Sequence, residues 1–173
     1  MKEKTPLSII FVRSLLIVCT LCIWVFIFSN ALAEGEVSSA QSHSFTVAVQ
    51  EAVAIVNPAS PIATATGESF DLLHACIRDF AHFIQYFALA ACAFGAYLSF
   101  SGEGTARYAY IPPCLLFLTV ALDEYLQSQT VGRAAEFTDF ATDSTGILCG
   151  IVLALLIFGL IKWTANAAKR RRS

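Results

Sequence analysis

The sequence predicts an all-α, polytopic membrane protein with four transmembrane helices and a short amphipathic helix on its outer surface. Of its 173 residues, 57% are hydrophobic and only 14% are charged, whereas about a quarter of the residues in a soluble domain are charged. Four apolar stretches are long enough to cross about 30 Å of hydrocarbon as helices. None of them alternates between polar and apolar residues as the strands of a membrane barrel do. The composition excludes a disordered chain, and a formal net charge of −2 provides no basic surface for nucleic acid.

The predicted spans belong to one membrane domain. They cover about residues 7–30, 80–100, 108–126 and 144–161 of a domain over 7–163, which a basic tail over 164–173 follows. Arg13 is the only charged residue in the first span, and His82 lies near the start of the second. Asp123 and Glu124 lie near the end of the third span, so its polar end is predicted to lie at a membrane surface.

Charged residues divide unequally between the two sets of helix ends. One set, residues 1–29, 100–108 and 162–173, contains nine basic and two acidic side chains. The other set, residues 30–79 and 123–143, contains two basic and eleven acidic side chains. Because basic residues are enriched on the cytoplasmic side of a membrane, we expect both termini in the cytoplasm and both long loops outside.

The end of the first span has a second interpretation. Ala31-Leu32-Ala33 resembles a signal-peptidase site after a basic segment and an apolar stretch. The apolar stretch is longer than the roughly 7–15 residues that are usual before such a site. We therefore favour a retained first helix, and cleavage would instead leave three spans with the termini on opposite sides.

The outer loop over residues 31–79 is predicted to contain an amphipathic helix over 43–56. Its apolar residues recur at helical spacing: Phe45, Val49, Ala52, Val53 and Val56. Ser42 or Ser44 is a candidate N-cap, and Asn57-Pro58 predicts the end of the helix. The residues at 58–69 are typical of a linker.

Nine polar side chains fall at the predicted outer ends of the second, third and fourth spans. They are Arg78, His82, Tyr86, Asp123, Glu124, Gln127, Arg133, Asp139 and Asp143. Ionisable groups near or inside spans are costly to bury and usually mark a functional or partnered site. Because the ends of helices in a small bundle are neighbours, we expect these side chains to form one polar, ligand-binding pocket outside the membrane.

Several of these residues also have a structural interpretation. Arg78 with an acidic residue would make an interhelical ion pair, which is as good an explanation as a catalytic role. His82 could simply donate a hydrogen bond to a backbone carbonyl, but it would suit proton transfer if a carboxylate orients it. Asp123 and Glu124 are adjacent on a helix, so they point about 100° apart and do not readily share a proton.

Three further patterns are better explained by packing or charge than by chemistry. Cys19-x-x-Cys22 has the spacing of a redox or zinc pair but lies within a span without a second pair of ligands. Gly146-x-x-x-Gly150 permits two helices to pack closely. Four carboxylates, those of Asp123, Glu124, Asp139 and Asp143, could offer oxygen ligands to Mg²⁺ or Ca²⁺, but the spacing of a metal-binding loop is absent. We therefore predict neither a metal nor a cofactor.

Four segments over residues 28–150 follow one another in a recognisable order. They are Phe28-Ser29 with Ser38-Ser39 and Ser42, then Arg78-Asp79-Phe80-Ala81-His82-Phe83-Ile84-Gln85-Tyr86, then Asp123-Glu124-Tyr125-Leu126-Gln127-Ser128 with Gly132-Arg133, and last Asp139-Phe140-Ala141-Thr142-Asp143-Ser144-Thr145-Gly146 with Gly150. In this order the chain resembles the VanZ-like family of small membrane proteins, which is named for a teicoplanin-resistance protein. The resemblance implies a protein of the bacterial cell membrane with a link to glycopeptide susceptibility.

The chain departs from the family pattern at two places. The family often has a lysine three residues before the histidine, where this chain has Asp79, and Arg78 supplies a positive charge one residue earlier. The usual asparagine of the last segment is Asp143. Both changes make the predicted pocket more acidic, which favours recognition of a cation or an amine.

Two functions fit these observations. The first is a non-enzymatic envelope protein whose outer pocket binds a lipid-linked or antibiotic-like ligand, with membrane lipids and a cell-wall precursor lipid or a glycopeptide as partners. The second is a membrane-embedded enzyme in which His82 with Asp123 or Glu124 performs acid/base chemistry on a lipid or cell-wall precursor headgroup. Arg78 and Arg133 would hold that headgroup. A transporter is disfavoured because no ionisable groups line a path to the cytoplasm.

Overall fold

The computed structural model describes residues 6–100 and 106–171, in which five α-helices follow one another. They are α1 (Leu7–Ala31), α2 (Gly35–Val56), α3 (Glu68–Phe100), α4 (Ile111–Gln129) and α5 (Phe137–Arg170), and a 3₁₀ turn over Ala106–Tyr108 precedes α4. No strand occurs in these two ranges, so the predicted all-α class is confirmed. Five charged residues that enter the charge comparison, Lys2, Glu3, Lys4, Glu103 and Arg172, lie outside the described residues.

Three of the helices, α1, α3 and α5, are long and apolar enough to cross a membrane. Only Ile27 and Ala31, near the end of α1, are buried inside the protein, and Phe11, Trp24 and most of the other apolar residues of the helix face outward. A helix that is apolar on all sides needs an apolar environment, which is consistent with a membrane protein. The helix predicted over 108–126 exists as α4, but α4 is not one of these three, because acidic and amide side chains in its last turns make it less apolar.

The helices extend beyond the predicted spans at the ends that carry the polar residues. The second predicted span begins at residue 80, whereas α3 begins at Glu68. The fourth begins at residue 144, whereas α5 begins at Phe137. The apolar length of a segment indicates how much of it hydrocarbon can surround, but a helix continues through polar turns while its backbone bonds are made. Acidic residues in the first turn of each helix, Asp71 and Asp139 among them, favour this extension.

The second helix is longer than predicted. α2 begins at Gly35 rather than at residue 43, so Ser42 and Ser44 lie inside the helix and are not N-caps. Their hydroxyl groups donate to the carbonyls four residues earlier, at 3.1 and 2.9 Å. A run of serines can mark the start of a helix, but serines can also lie inside a helix when their hydroxyl groups bond to carbonyls of the preceding turn. The serines of α2 do the latter.

The predicted linker folds back onto α2. The helix ends at Val56, as the Asn-Pro pair directly after it predicts. The side-chain amide of Gln50 then donates to the carbonyls of Ile62 and Ala65, at 2.9 and 3.0 Å. These two bonds hold the segment between α2 and α3 against the middle of α2.

The helix α3 is the centre of the bundle. It contacts each of the other four helices, and its contact with α5 is the most extensive. The main apolar core takes residues from four helices: Ile27, Tyr86, Leu89, Ala90, Leu116, Val120 and Ile147. A smaller cluster of Phe94, Leu98 and Ala154 continues the contact between α3 and α5.

The helices α3 and α5 approach each other closely at two glycines. A Cβ atom on Gly146 would lie 2.5 Å from the carbonyl oxygen of Phe83, and one on Gly150 would lie 2.9 Å from Cβ of Ala90. Real Cβ atoms do not come so close to other atoms. The predicted role of this glycine pair in close helix packing is confirmed.

The charged residue within α1 is bonded to the C-terminal end of α3. Nε of Arg13 donates to the carbonyl of Ser99 at 3.1 Å, and Nη2 donates to the same oxygen. The guanidinium also lies 4.3 Å from the centroid of the Phe100 ring. The last carbonyls of a helix lack donors within the helix and carry partial negative charge, so Arg13 and the end of α3 satisfy each other.

We predict that alanine destabilises the protein at Gly150 but not at Gly159. Gly159 also lies in α5, but a Cβ atom added to it would meet nothing within 4 Å. Gly150→Ala should lower the free energy of unfolding by about 1–3 kcal/mol through overpacking. Gly159→Ala should leave it unchanged or raise it by about 0.5–1 kcal/mol through helix propensity. Thermal unfolding of the purified variants in detergent measures both, and equal effects would contradict the close contact.

Candidate functional site: a polar pocket at one end of the bundle

The ends of several helices are joined at one end of the bundle by the loop after α4. Nη1 of Arg133, in this loop, donates to the carbonyl of Asn30 in the last turn of α1, at 2.8 Å. The N–H group of Gly35, the first residue of α2, donates to the carbonyl of Val131 at 3.0 Å. The loop therefore holds the start of α2 near the ends of α1 and α4.

An ion pair joins α3 to the start of α5. Nη2 of Arg78 lies 3.1 and 3.2 Å from the two carboxylate oxygens of Asp139 and 3.5 Å from Oε2 of Glu136. Asp79 is more distant, at 4.0 Å from Nε. Asp139 is only 5% exposed, so its charge depends on this arginine. Arg78 thus forms an interhelical ion pair, and its charge is compensated by acidic groups of α5.

Deeper in the bundle, His82, Asp123 and Asp143 bring one side chain each from α3, α4 and α5 into a buried cluster. Nδ1 of His82 lies 3.3 Å from Oδ1 of Asp143, without the alignment of a hydrogen bond. One nitrogen or oxygen atom from each of the three side chains lies within 4.8 Å of the other two. Asp143 is completely buried and Asp123 is 2% exposed. Nε2 of Gln127 donates to Oδ2 of Asp123 at 3.0 Å.

Several buried polar atoms in and around this cluster have no hydrogen-bond partner within the described part of the chain. They are Nδ1 of His82, Oη of Tyr86, Oδ1 of Asp123, Oε1 of Glu124, both carboxylate oxygens of Asp143 and Oγ of Ser144. Buried polar groups are normally paired, and each unpaired one costs about 1–3 kcal/mol. Four of these atoms belong to His82, Asp123 and Asp143, so the unpaired groups are concentrated in this cluster.

The four predicted carboxylates do not come together. Oε2 of Glu124 accepts a hydrogen bond from the backbone N–H of Glu136 at 3.2 Å, so Glu124 faces the start of α5. Asp139 is engaged by Arg78. Asp123 and Asp143 instead share a cluster with His82, which is the set that could hold a metal ion in the described ranges.

A cavity of about 230 Å³ lies beside the cluster, between α1, α2, α3 and α4. Its polar lining includes four side-chain amides and two serines: Asn30, Gln41, Gln85, Gln127, Ser38 and Ser42. Phe26, Ile27 and Phe45 form an apolar wall. A second, more polar cavity of about 190 Å³ shares part of this lining and continues toward the start of α5.

The nine residues predicted for the pocket divide into two groups. Six line one or both cavities: Arg78, His82, Asp123, Gln127, Arg133 and Asp139. The other three, Tyr86, Glu124 and Asp143, line neither cavity. Among these, Tyr86 and Asp143 are fully buried, and Asp143 lies 3.3 Å from the ring of His82, which lines the larger cavity.

The contribution of α2 to the pocket was missed in the sequence. Ser38, Gln41, Ser42 and Phe45 line the larger cavity and follow the i, i+3, i+4, i+7 spacing of one helix face. The signal was present in the spacing, but it crosses the residue at which the helix was predicted to begin. Gln85 was missed for a different reason. Its amide is uncharged, so it does not stand out within an apolar span as an ionisable side chain does.

These features define a small, all-helical protein with membrane-spanning helices and a polar pocket between the helix ends. The chain belongs to the VanZ/LLP1 family, whose model matches residues 15–158. The predicted family is thereby confirmed. No curated protein and no solved structure matches the chain.

We predict that removing Arg78 destabilises the protein more than removing its partner Asp139. Arg78→Gln leaves a buried carboxylate unpaired and should lower the free energy of unfolding by about 1–3 kcal/mol, since the arginine is itself 38% exposed. Asp139→Asn leaves an arginine that still reaches Glu136 and water, so its effect should be smaller. Thermal unfolding of both variants and of the double variant measures the coupling. Asp79→Asn is the matched control, with an expected change within about 0.5 kcal/mol.

Proposed function

We propose that the chain is a bacterial envelope protein that binds the headgroup of a lipid-linked molecule in its polar pocket. The observation that carries this proposal is the lining of the larger cavity, in which amide side chains face an apolar wall. Such a combination suits an amphiphilic ligand, because the polar groups recognise a headgroup and the wall accepts an apolar part.

The chemistry of the lining favours a headgroup rich in hydroxyl and amide groups. Side-chain amides both donate and accept hydrogen bonds, as a sugar or peptide headgroup requires. Arg78 is already paired with acidic residues, and Arg133 has one N–H group committed to a backbone carbonyl. The pocket therefore has less capacity for an anionic group than its two arginines suggest. A cell-wall precursor lipid has the expected kind of headgroup.

The volume of the cavity limits how much of a ligand it can enclose. At about 230 Å³ the cavity is smaller than the roughly 300–1,000 Å³ that drug-sized ligands occupy. We therefore propose that an effect on teicoplanin susceptibility, which the family resemblance implies, would follow from the lipid-linked ligand. The cavity can enclose only part of a sugar–peptide headgroup, and it is likewise too small for a whole glycopeptide.

The proposed topology has four spans with both termini in the cytoplasm, and α4 is the third of them, between α3 and α5. The charge difference between the two sets of helix ends supports this orientation. Its consequence is that the polar pocket lies at the outer face, where a lipid-linked envelope molecule would reach it. α4 is short and ends in polar residues, which suits a span whose last turns form the floor of that pocket.

The ligand proposal predicts that leucine at Gln85 or Gln127 weakens binding at least about tenfold, because a lost hydrogen bond in a desolvated site is worth roughly 1.4 kcal/mol. Binding of a labelled polyprenyl-linked sugar–peptide to the protein in nanodiscs measures the effect. The matched control is Gln129→Leu, since Gln129 is an exposed amide on the same helix as Gln127. Equal binding of phosphatidylglycerol by the wild type would contradict recognition of the headgroup.

The topology predicts which substituted cysteines a membrane-impermeant maleimide can reach in intact cells. In a variant without the six native cysteines, Glu68→Cys should be labelled and Lys169→Cys should be labelled only after the membrane is opened. Glu68 begins α3 at the pocket end, and Lys169 lies in the last turn of α5. The reverse pattern would place the pocket in the cytoplasm and remove the access route that we propose.

A second candidate function is an enzyme that acts on the same headgroup. The observation that favours it is that His82, which lines the cavity, has the buried carboxylate of Asp143 3.3 Å from its ring nitrogen. A carboxylate behind an imidazole can orient it for acid/base chemistry. Glu124 does not line the cavity, so this candidate depends on His82 with Asp123 or Asp143.

Single substitutions separate binding from turnover. His82→Ala, Glu124→Gln and Arg133→Ala are compared for membrane abundance, for binding and for conversion of the labelled lipid. Loss of conversion in His82→Ala at normal abundance and binding would favour the enzyme. An absence of conversion by the wild type, together with tight binding, would favour the binding protein.

A further inference from the structure

The buried cluster of His82, Asp123 and Asp143 has the donor set of a metal site. We infer that these three side chains bind one divalent transition-metal ion, with Zn²⁺ as the best match, at the floor of the pocket. The ion site extends the proposed function, because it lies next to the proposed ligand, but ion binding itself does not require that ligand. The prediction from the sequence that no metal is bound is thus replaced by a specific site.

The identity of the donors indicates the class of ion. One imidazole and two carboxylates suit Zn²⁺, which commonly has three protein ligands and one open position. Ca²⁺ and Mg²⁺ prefer six or more oxygen ligands, and the cluster supplies a nitrogen and few oxygens. Two donors bound to a tetrahedral zinc ion lie roughly 3.4 Å apart, given bonds of about 2.1 Å. The 3.3 Å between Nδ1 of His82 and Oδ1 of Asp143 agrees with this spacing.

The charge of the cluster also favours a cation. Asp123 and Asp143 are both at least 98% buried, on different helices, and within 4.8 Å of the same histidine. Arg78, the nearest arginine along α3, is occupied by Asp139 and Glu136. His82 beside them can carry at most one positive charge, so two buried carboxylates are costly, and a divalent ion would neutralise both at once.

An independent observation comes from a residue outside the cluster. The hydroxyl of Tyr86 is fully buried beside Asp123 and can orient that carboxylate. Both carboxylate oxygens of Asp143 lack a hydrogen-bond partner within the described ranges. Gln127 already orients one oxygen of Asp123 through its 3.0 Å hydrogen bond, which is how residues around a metal commonly hold its ligands.

The position of the cluster gives the ion a role. His82 and Asp123 line the cavity, whereas Asp143 lies behind them. An ion held by the three would therefore present its open position to the cavity. It could coordinate an oxygen of the headgroup there, and this part of the inference rests on the proposed function.

Metal content of the whole chain tests the inference. The protein is purified in detergent with a tag that contains no histidine, exchanged against Zn²⁺ and washed with a weak chelator. We expect one zinc ion per chain and a higher melting temperature with Zn²⁺ than without it. Asp123→Asn and Asp143→Asn should weaken zinc binding at least about tenfold. Glu124→Gln is the matched control, because Glu124 is a buried acid adjacent to Asp123 but is not in the cluster.

Three outcomes would overturn the inference: no stoichiometric zinc in the wild type, full zinc content in both asparagine variants, or an equal loss in Glu124→Gln. Loss of zinc in His74→Ala but not in His82→Ala would also overturn it, since His43 and His74 form a separate histidine pair. Should the asparagine variants fail to fold, the visible absorption of Co²⁺ bound to the wild type decides, because a low-coordinate nitrogen and oxygen site is expected.

Lipid binding is then measured with and without the chelator, which separates this inference from the proposed function. Stoichiometric zinc without lipid binding would sustain the metal site and contradict the ligand proposal. Lipid binding by a chain that takes up no zinc would sustain the ligand proposal and contradict the metal site.

Discussion

The close contact between α3 and α5 positions the other parts of the site. Gly146 and Gly150 leave no room for a side chain, so the backbones of the two helices meet. Asp143 lies one turn before Gly146, and His82 directly precedes Phe83, whose carbonyl Gly146 faces. The same contact therefore determines the 3.3 Å distance between His82 and Asp143. One turn further toward the helix ends it also brings Arg78 to Asp139.

This geometry produces two layers of charged side chains, an outer one at the helix ends and an inner one deeper in the bundle. They differ in whether the positive and negative charges balance. In the outer layer Arg78 neutralises buried Asp139 and is partly exposed to water. In the inner layer two carboxylates face one histidine, and several of their oxygens are unpaired within the described ranges. A protein selected only for stability would replace such an inner layer with apolar residues, because those are often neutral or more stable. The outer layer holds the helices together, and the inner layer is where binding chemistry is available.

Much of the fold could be predicted because its causes are local. The length of the apolar stretches predicts the long helices, and the spacing of the two glycines predicts close packing. The order of four segments along the chain predicts the family. The partner of His82 could not be predicted, since helical spacing gives the face of a residue but not the rotation of one helix against another. Asp143 and Asp123 therefore appeared as members of an acidic set, whereas only these two join the histidine. The cavity-lining face of α2 was not predicted, because serines occur both at the start and in the interior of a helix and the helix was expected to begin too late.

The bond between Arg13 and the end of α3 has a consequence for how the chain is assembled. A guanidinium in hydrocarbon is unfavourable until it finds an acceptor, and its acceptor here lies 86 residues later in the chain. When the first helix enters the membrane during synthesis, that acceptor has not yet been made. Until α3 has been made, the guanidinium can be satisfied only by water and lipid headgroups, which its position about two turns from the start of α1 allows. The bond between Arg13 and Ser99 can therefore form only after the C-terminal end of α3 has been made, so the pairing of α1 with α3 is a late step of assembly.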